Sequence, residues 1–458
     1  MEKSFAAIIL ASLFYMLFWD VYAYLKYTNY LSTYFDIGLA DYNLYYYSVE
    51  HVGALQFFVF MNHLSFITPI IFLFYKLFGN PFSFIWLQNL MLAFTAPIIY
   101  FIGSLKEKRL GFAFAISYLA NPALWGLGIF DAHLEGIIPF FYMLSLYLYL
   151  KRSKLFIASF ALLLSIIDTG SVLALFFAIG LLANELIKRG KKDEKMLKVL
   201  LASIVLASAF IAAYWALSIE IKSNVPPQLK VMNFFGEQKN VLLKPANNSL
   251  GPESLFWLLD VLFSFGISAL FSIVPTLFFI APWLAEVFVV KNALFTTPYM
   301  QYFAYAIGGL AGALLGVQNV KARPRAIEAS IYFFTALFLF SFLILYPFPL
   351  PFARSSVEGI GITLNANSPN YSVMAQGSIS PHLYSMLYVE NPPDEKPIWF
   401  EALNYTTYWF TPNYIILDKN LGDFGPMVSN SFNVYAYMGD NYSIYYSSNG
   451  LIIYKRIK

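Results

Sequence analysis

The sequence predicts a mostly α-helical, polytopic membrane protein. About eleven transmembrane spans form a bundle with the N-terminus inside and the C-terminus outside, followed by a small extracytoplasmic α/β domain. Three observations predict this. The 458 residues are 59% hydrophobic and only 12% charged, with a mean hydropathy of +0.61, whereas soluble domains are about half apolar and a quarter charged. Apolar runs of the length that crosses a hydrocarbon layer recur along the chain. Lysines and arginines concentrate in short clusters between alternate runs, the signature of cytoplasmic loops.

The spans are read at 5–23, 82–104, 110–128, 136–150, 155–169, 171–187, 199–218, 254–272, 273–290, 299–320 and 326–348. The first run, Phe5 to Trp19, follows Lys3 and Ser4 and resembles a signal peptide in length. No small-x-small cleavage site follows it, so it reads as a retained span. The basic clusters are Lys106/Lys108/Arg109, Lys151/Arg152/Lys154, Lys188 to Lys198 and Lys321/Arg323/Arg325, and with the N-terminus inside all of them become cytoplasmic. Residues 52–79 are apolar enough for another span but contain Gln56, Asn62, His63, Pro69 and Lys76. A full crossing there would carry every later basic loop outside, so the segment reads as a re-entrant or interfacial helix. Glycosylation sequons at Asn247, Asn370, Asn404 and Asn441 all fall in segments this topology puts outside.

Two units result: a membrane domain, 1–348, with outer loops 24–81 and 219–253, and an outer α/β domain, 349–458. The outer domain carries a β-like run, Tyr414 to Leu417, and room for a helix after Pro381. It ends in a hairpin signal in which Asn449-Gly450 separates Tyr442–Ser447 from Leu451–Tyr454. There is no tandem repeat. Gly308, Gly309 and Gly312 read as close helix packing.

Composition also excludes chemistry. With no cysteine, disulfides and thiolate metal sites are out. A net charge of +3 is too small to argue for nucleic acid. No glycine-rich phosphate loop, zinc-protease helix or Ser-His-Asp signature occurs.

The densest chemical feature is Asp131-Ala132-His133-Leu134-Glu135, between the third and fourth spans. Ionisable groups cost at least a few kcal/mol at membrane depth, about 2.5–3.5 on insertion scales, so three of them at one edge call for a role. In extended backbone they share a face. They can hold a divalent cation (Mg or Mn), contact a phosphate through it, or simply form a solvated loop with a capping aspartate. Asp36 in the first outer loop, with Asp41 and a tyrosine-rich run beyond it, is a candidate general base or an ordinary capping residue. His51 and His63 belong to the same loop, and His63 can line the cavity or make a plain interfacial hydrogen bond. Gln88 and Asn89 lie in the outer half of the second span, and Asp168-Thr169-Gly170 reads as a tight outer turn. Asp20 and Asp260, near membrane ends, read as structural. Lys222 and Lys230, with Lys239 and Lys244, can meet a lipid phosphate from outer loop 219–253 or remain solvated.

Several of these motifs occur in a familiar order: Phe35-Asp36-x-Gly38, His63-x-Ser65-x-x-x-Pro69, Gln88, Pro97-x-x-Tyr100, Tyr118-x-x-x-Pro122 and Asp131-x-His133-x-Glu135. Together they resemble the predicted membrane proteins grouped as domain of unknown function 2079. The resemblance continues around Ala375-Gln376-x-x-Ile379-x-Pro381-His382-Leu383 and Tyr414-x-Ile416-Leu417-Asp418. That family looks related to the GT-C glycosyltransferases. These enzymes take a sugar from a polyprenyl-phosphate or -diphosphate donor at the outer membrane face, using one carboxylate in the first outer loop and another in the second. The resemblance implies Asp36 as the first and Asp131 as the second, both catalytic, with His133 and Glu135 as neighbours. A Lys-Glu-Asp-like run of the family is here Ile166-Ile167-Asp168, so only Asp168 carries over. The implied reading is an archaeal cell-envelope glycosyltransferase whose partners are the bilayer, a lipid-linked sugar donor and a glycan, protein or lipid acceptor. Its donor-binding set is His63, Gln88, His133, Glu135, Asp168, Lys222 and Lys230. The rival is a non-enzymatic membrane protein, either a lipid or solute transporter or a scaffold.

Overall fold

The computed structural model describes residues 3–28, 37, 40, 43–44, 47–48, 57–61, 63–78, 82–130, 132–187, 193–224, 252–290, 295, 301–320, 323–346, 348–351, 373–375, 414–418, 441–448 and 451–457. These are mostly helical. Chain order runs α1 (Lys3–Thr28), β1 (Val59–Phe60), β2 (His63–Leu64), α2 (Thr68–Phe78), α3 (Ser83–Ser104), α4 (Lys108–Ala120) and α5 (Pro122–Ile129). A 3-10 turn (Leu134–Ile137) then leads into α6 (Ile138–Leu150), α7 (Leu155–Ser165), α8 (Asp168–Ile187), α9 (Glu194–Asn224) and α10 (Pro252–Phe263). A second 3-10 turn (Ile267–Ser272) opens α11 (Ile273–Leu284), which runs on through Val290. A third (Gln301–Ala306) precedes α12 (Ile307–Asn319) and α13 (Pro324–Leu345).

Six helical segments among the described residues are long and apolar enough to cross a membrane, or seven if the bent pair α4 and α5 makes one span. The 53° bend of that pair has a local cause. Pro122 has no N–H to continue α4, and Asn121 restarts the helix by accepting from Ala123 N at 2.9 Å and Leu124 N at 3.4 Å. Helix α2 has only eleven residues, about 16 Å and so roughly half a hydrocarbon layer. It buries Ile71 and Tyr75 and exposes Ile70, Leu73, Leu77 and Phe78.

Two sequence expectations change. Asp168-Thr169-Gly170 is the first turn of α8 and not a separate tight turn. The Asp168 side chain accepts from Thr169 N at 2.8 Å, and a carboxylate suits the positive end of a helix. The chain reverses at Gly266 and not near 272. Gly266 has φ +81, and a Cβ there would lie 2.7 Å from Ser330 Oγ, so only glycine makes that turn without strain.

Buried helices α3 and α8 carry the core, while α1, α9 and α13 expose long apolar faces such as Phe14, Leu17, Val205, Phe333 and Ile344. The α12 glycines are packing positions. Ideal Cβ atoms would fall 2.4 Å from Phe279 O at Gly308, 2.0 Å from Val261 O at Gly309 and 1.9 Å from Ser268 O at Gly316. Helix backbones therefore touch directly.

Strands β3 (Val373–Ala375), β4 (Tyr414–Asp418), β5 (Tyr442–Ser448) and β6 (Leu451–Arg456) form one sheet in the order β3-β4-β6-β5. The β3–β4 pair is parallel and the others antiparallel. Ser448 pairs with Leu451, the spacing of a two-residue Asn-Gly hairpin. Ile416, Leu451 and Ile453 are buried in the same apolar cluster as the helices. The region after Pro381, where a helix is expected, lies outside the described residues.

Candidate functional site

The predicted site residues that the structure describes gather at one end of the bundle. His63 begins β2, and its Nδ1 lies 3.2 Å from Asp168 Oδ1 at the start of α8. The backbone sets this contact, because Ile67 N donates to Ser165 O at 3.0 Å and so fastens the β2–α2 connection to the end of α7. His133 Nδ1 pairs with Glu135 Oε2 in the turn ahead of α6. Glu135 is almost fully buried, with 2% of its surface exposed.

Gln88 holds the segment that leads from α5 to His133. From the N-terminal part of α3 its Nε2 donates to Leu127 O at 2.7 Å, and its Oε1 accepts from His133 N at 2.7 Å. The last carbonyls of any helix lack partners within it, and here two side chains supply them at the end of α5. Gln88 serves Leu127, and Lys26 Nζ donates to Ile129 O at 3.0 Å. Gly136 allows the close approach, since a Cβ there would lie 2.4 Å from Gln88 Cγ. One residue on, Asn89 Nδ2 donates to Asp20 Oδ1 at 2.8 Å and ties α3 to α1.

Thr169 and Tyr305 complete the buried side through a hydroxyl–hydroxyl hydrogen bond. Nothing in the local sequence marks Tyr305, which reaches Thr169 only because the 3-10 turn Gln301–Ala306 packs beside α5 and the Glu135 turn. Lys26 was equally hidden, as an ordinary cation at a span end.

Electrostatics follow from the pairing. Burial pushes the Glu135 carboxyl up, but the His133 imidazole, by charge and hydrogen bond, and His63 by charge hold it below its ordinary value. An imidazole held by a carboxylate has its orientation and tautomer fixed, the arrangement of a positioned acid or base.

Asp36, Asp131, Lys230 and His51 lie outside the described residues, as does the side chain of Lys222 in the last turns of α9. Among the described residues no three His, Asp or Glu side chains are placed to share a metal ion. His133 and Glu135 face each other instead.

The opposite end holds the basic residues. Lys106 Nζ donates to Val320 O at 2.8 Å, Arg109 lies 3.7 Å from Glu328, and Asn319 donates to Asn184 at 2.9 Å. Beside them Arg152 donates to Glu185 at 2.9 Å, and Tyr149 bonds the same carboxylate. Helix α8 connects the two ends. Its 20 residues span about 30 Å, one hydrocarbon thickness.

A part-buried acidic and imidazole cluster thus sits at one end of the bundle and the basic clusters at the other. No curated protein matches the chain. A family model described as Predicted membrane protein (DUF2079) matches residues 27–453, nearly the whole chain. The chain belongs to that predicted membrane protein family.

Proposed function

We propose that the protein is a membrane glycosyltransferase of GT-C type, transferring a sugar from a polyprenyl-phosphate donor at the outer face. The observation that carries this reading is the convergence of His63, Gln88, His133, Glu135 and Asp168 at the end opposite the basic clusters. Under the positive-inside rule that end is outside. The reading keeps the eleven-span, N-in and C-out topology, with 349–458 as an outer domain that binds acceptor or covers the site. The short helix α2, beginning five residues after His63, gives a lipid-borne substrate a half-membrane route to the cluster.

In the proposed reaction Asp36 takes the acceptor hydroxyl's proton as its oxygen attacks the anomeric carbon, and the bond to the lipid phosphate breaks. General-base assistance of this kind is worth roughly 10²–10⁴-fold. Asp131 is the second-loop carboxylate. Lys222 and Lys230 of the outer loop would stabilise the leaving phosphate. Gln88 acts as a positioning residue because both ends of its amide already hold the 127–133 segment. His133 and Glu135 pair with each other and Asp131 lies outside the described residues, so no step here runs through a divalent cation.

The test is turnover of radiolabelled polyprenyl-phosphate sugars in proteoliposomes. Transfer by the wild type and its loss in Asp36→Asn, with membrane insertion unchanged, supports the assignment. Full activity in Asp36→Asn removes Asp36 from the mechanism. No transfer from any such donor favours the transporter or scaffold reading.

A further inference from the structure

Asp260 stands apart from this site. It lies in α10 with 2% of its surface exposed, and its Oδ1 has no hydrogen-bond partner among the described residues. The same is true of the indole Nε1 of Trp257, three residues earlier and therefore on the same helix face.

Among the described residues, the elements packed against α10 place no cation beside Asp260. They include α12 (IGGLAGALLGVQN) and the 3-10 turn Ile267–Ser272 (ISALFS), neither of which has an ionisable side chain. Rings close the Trp257 side: Phe303 from the turn 301–306, and Phe342 and Tyr346 from the end of α13. The titratable groups on those two elements are the phenols Tyr302, Tyr305, Tyr332 and Tyr346, together with Arg325 and Glu328. The last two occupy the first turns of α13, about 20 Å along the helix from Phe342.

The carboxyl is also deep. Val261 meets Gly309 backbone to backbone, and Gly309 is ten residues before Asn319 at the basic end. That distance is about 15 Å, half a hydrocarbon thickness. One turn beyond Asp260 a polar seam begins. Asn121 Nδ2 donates to Ser264 Oγ at 2.9 Å, and Thr335 Oγ1 lies 2.8 Å from both Ser264 O and Ser117 Oγ.

A carboxylate buried at mid-membrane with no cation beside it is far costlier than the neutral acid, which brings its own donor and needs only neutral partners. We propose that Asp260 is a proton-binding site within the membrane body, holding its proton at neutral pH beside the Trp257 indole and at the head of the Ser264–Asn121–Thr335–Ser117 seam. The ligand is the proton itself. The inference is independent of the glycosyltransferase reading, and such a site also suits a protein that couples proton movement to transport.

The full chain in lipid, examined by infrared spectroscopy at neutral pH, tests it. The wild type is expected to show a carboxylic-acid C=O stretch that Asp260→Asn lacks. Loss of a carboxylate band in its place overturns the proposal. Dicyclohexylcarbodiimide, which adds to protonated carboxyls in apolar surroundings, needs only the wild type and decides the matter should the variant fail to fold. The peptide bearing Asp260 is expected to gain one reagent mass. An unmodified peptide overturns the proposal, and so does protection by sodium at fixed pH, which would make the site a metal-cation site.

Discussion

Replacing Gln88 by methionine isolates what holds the candidate site in place. Methionine keeps the length and volume of the side chain but loses both polar ends. Two backbone groups then lose their partners: the Leu127 carbonyl, in a buried contact, and the His133 N–H, in a partly buried one. A buried polar group left unsatisfied costs about 1–3 kcal/mol. Taking the low end for His133, which retains some access to water, the sum is about 2–4 kcal/mol. The last turn of α5 and the loop to His133 should loosen together, because Gln88 is the side chain that bridges them. Thermal unfolding in lipid nanodiscs should therefore fall by roughly 5–10 °C, scaling from what a kcal/mol is worth in a domain of a few hundred residues. Hydrogen exchange at the His133 amide should accelerate relative to the core of α3. A variant that melts with the wild type and keeps that amide protected would refute the reasoning, since the loop would then be held by something other than Gln88.

Two further outcomes are expected. Gly316→Ala should destabilise the bundle by about 1–3 kcal/mol through overpacking, because its Cβ would meet the Ser268 carbonyl, whereas at Gly170 the nearest atom is a side-chain methyl of Ile167 at 3.0 Å. Comparing the melting of the two alanine variants checks this. Glu135, depressed in the folded state, contributes stability that is complete above its unfolded value, about 4.5, and is lost as the pH falls through the lower folded value. Melts of Glu135→Gln against wild type should thus diverge above pH ~4.5 and converge below it, and a constant difference across that range would exclude the linkage.

Much of the site was legible because membrane sequences punish idle polarity. His63, Gln88, His133, Glu135 and Asp168 stand out from apolar surroundings, and the structure places all of them together. Their pairing was not legible. His133 and Glu135 read as candidate cation ligands together with Asp131; the structure shows the two paired with each other, and Asp131 lies outside the described residues. Thr169, Tyr305 and Lys26 escaped because serine-like hydroxyls, phenols and span-end lysines are common in any membrane protein. Asp260 read as structural because a lone carboxylate looks the same in sequence whether or not a cation packs beside it.

The sequence by itself determined the membrane class, the positions of the apolar helices, the separation of basic loops from the acidic and imidazole cluster, and the closing hairpin. These follow from local quantities: apolar length, charge placement and turn residues. Only the tertiary structure decided that His63 meets Asp168 across more than a hundred residues, that Gln88 ties α3 to the end of α5, that the chain turns at Gly266 where α13 leaves no room for a Cβ, and that Asp260 is buried with its Oδ1 unpartnered among the described residues. Each depends on which helix faces which. That is set by backbone contacts such as those of Gly309 and Gly316, which sum over the whole bundle and leave no signature in any single stretch of chain.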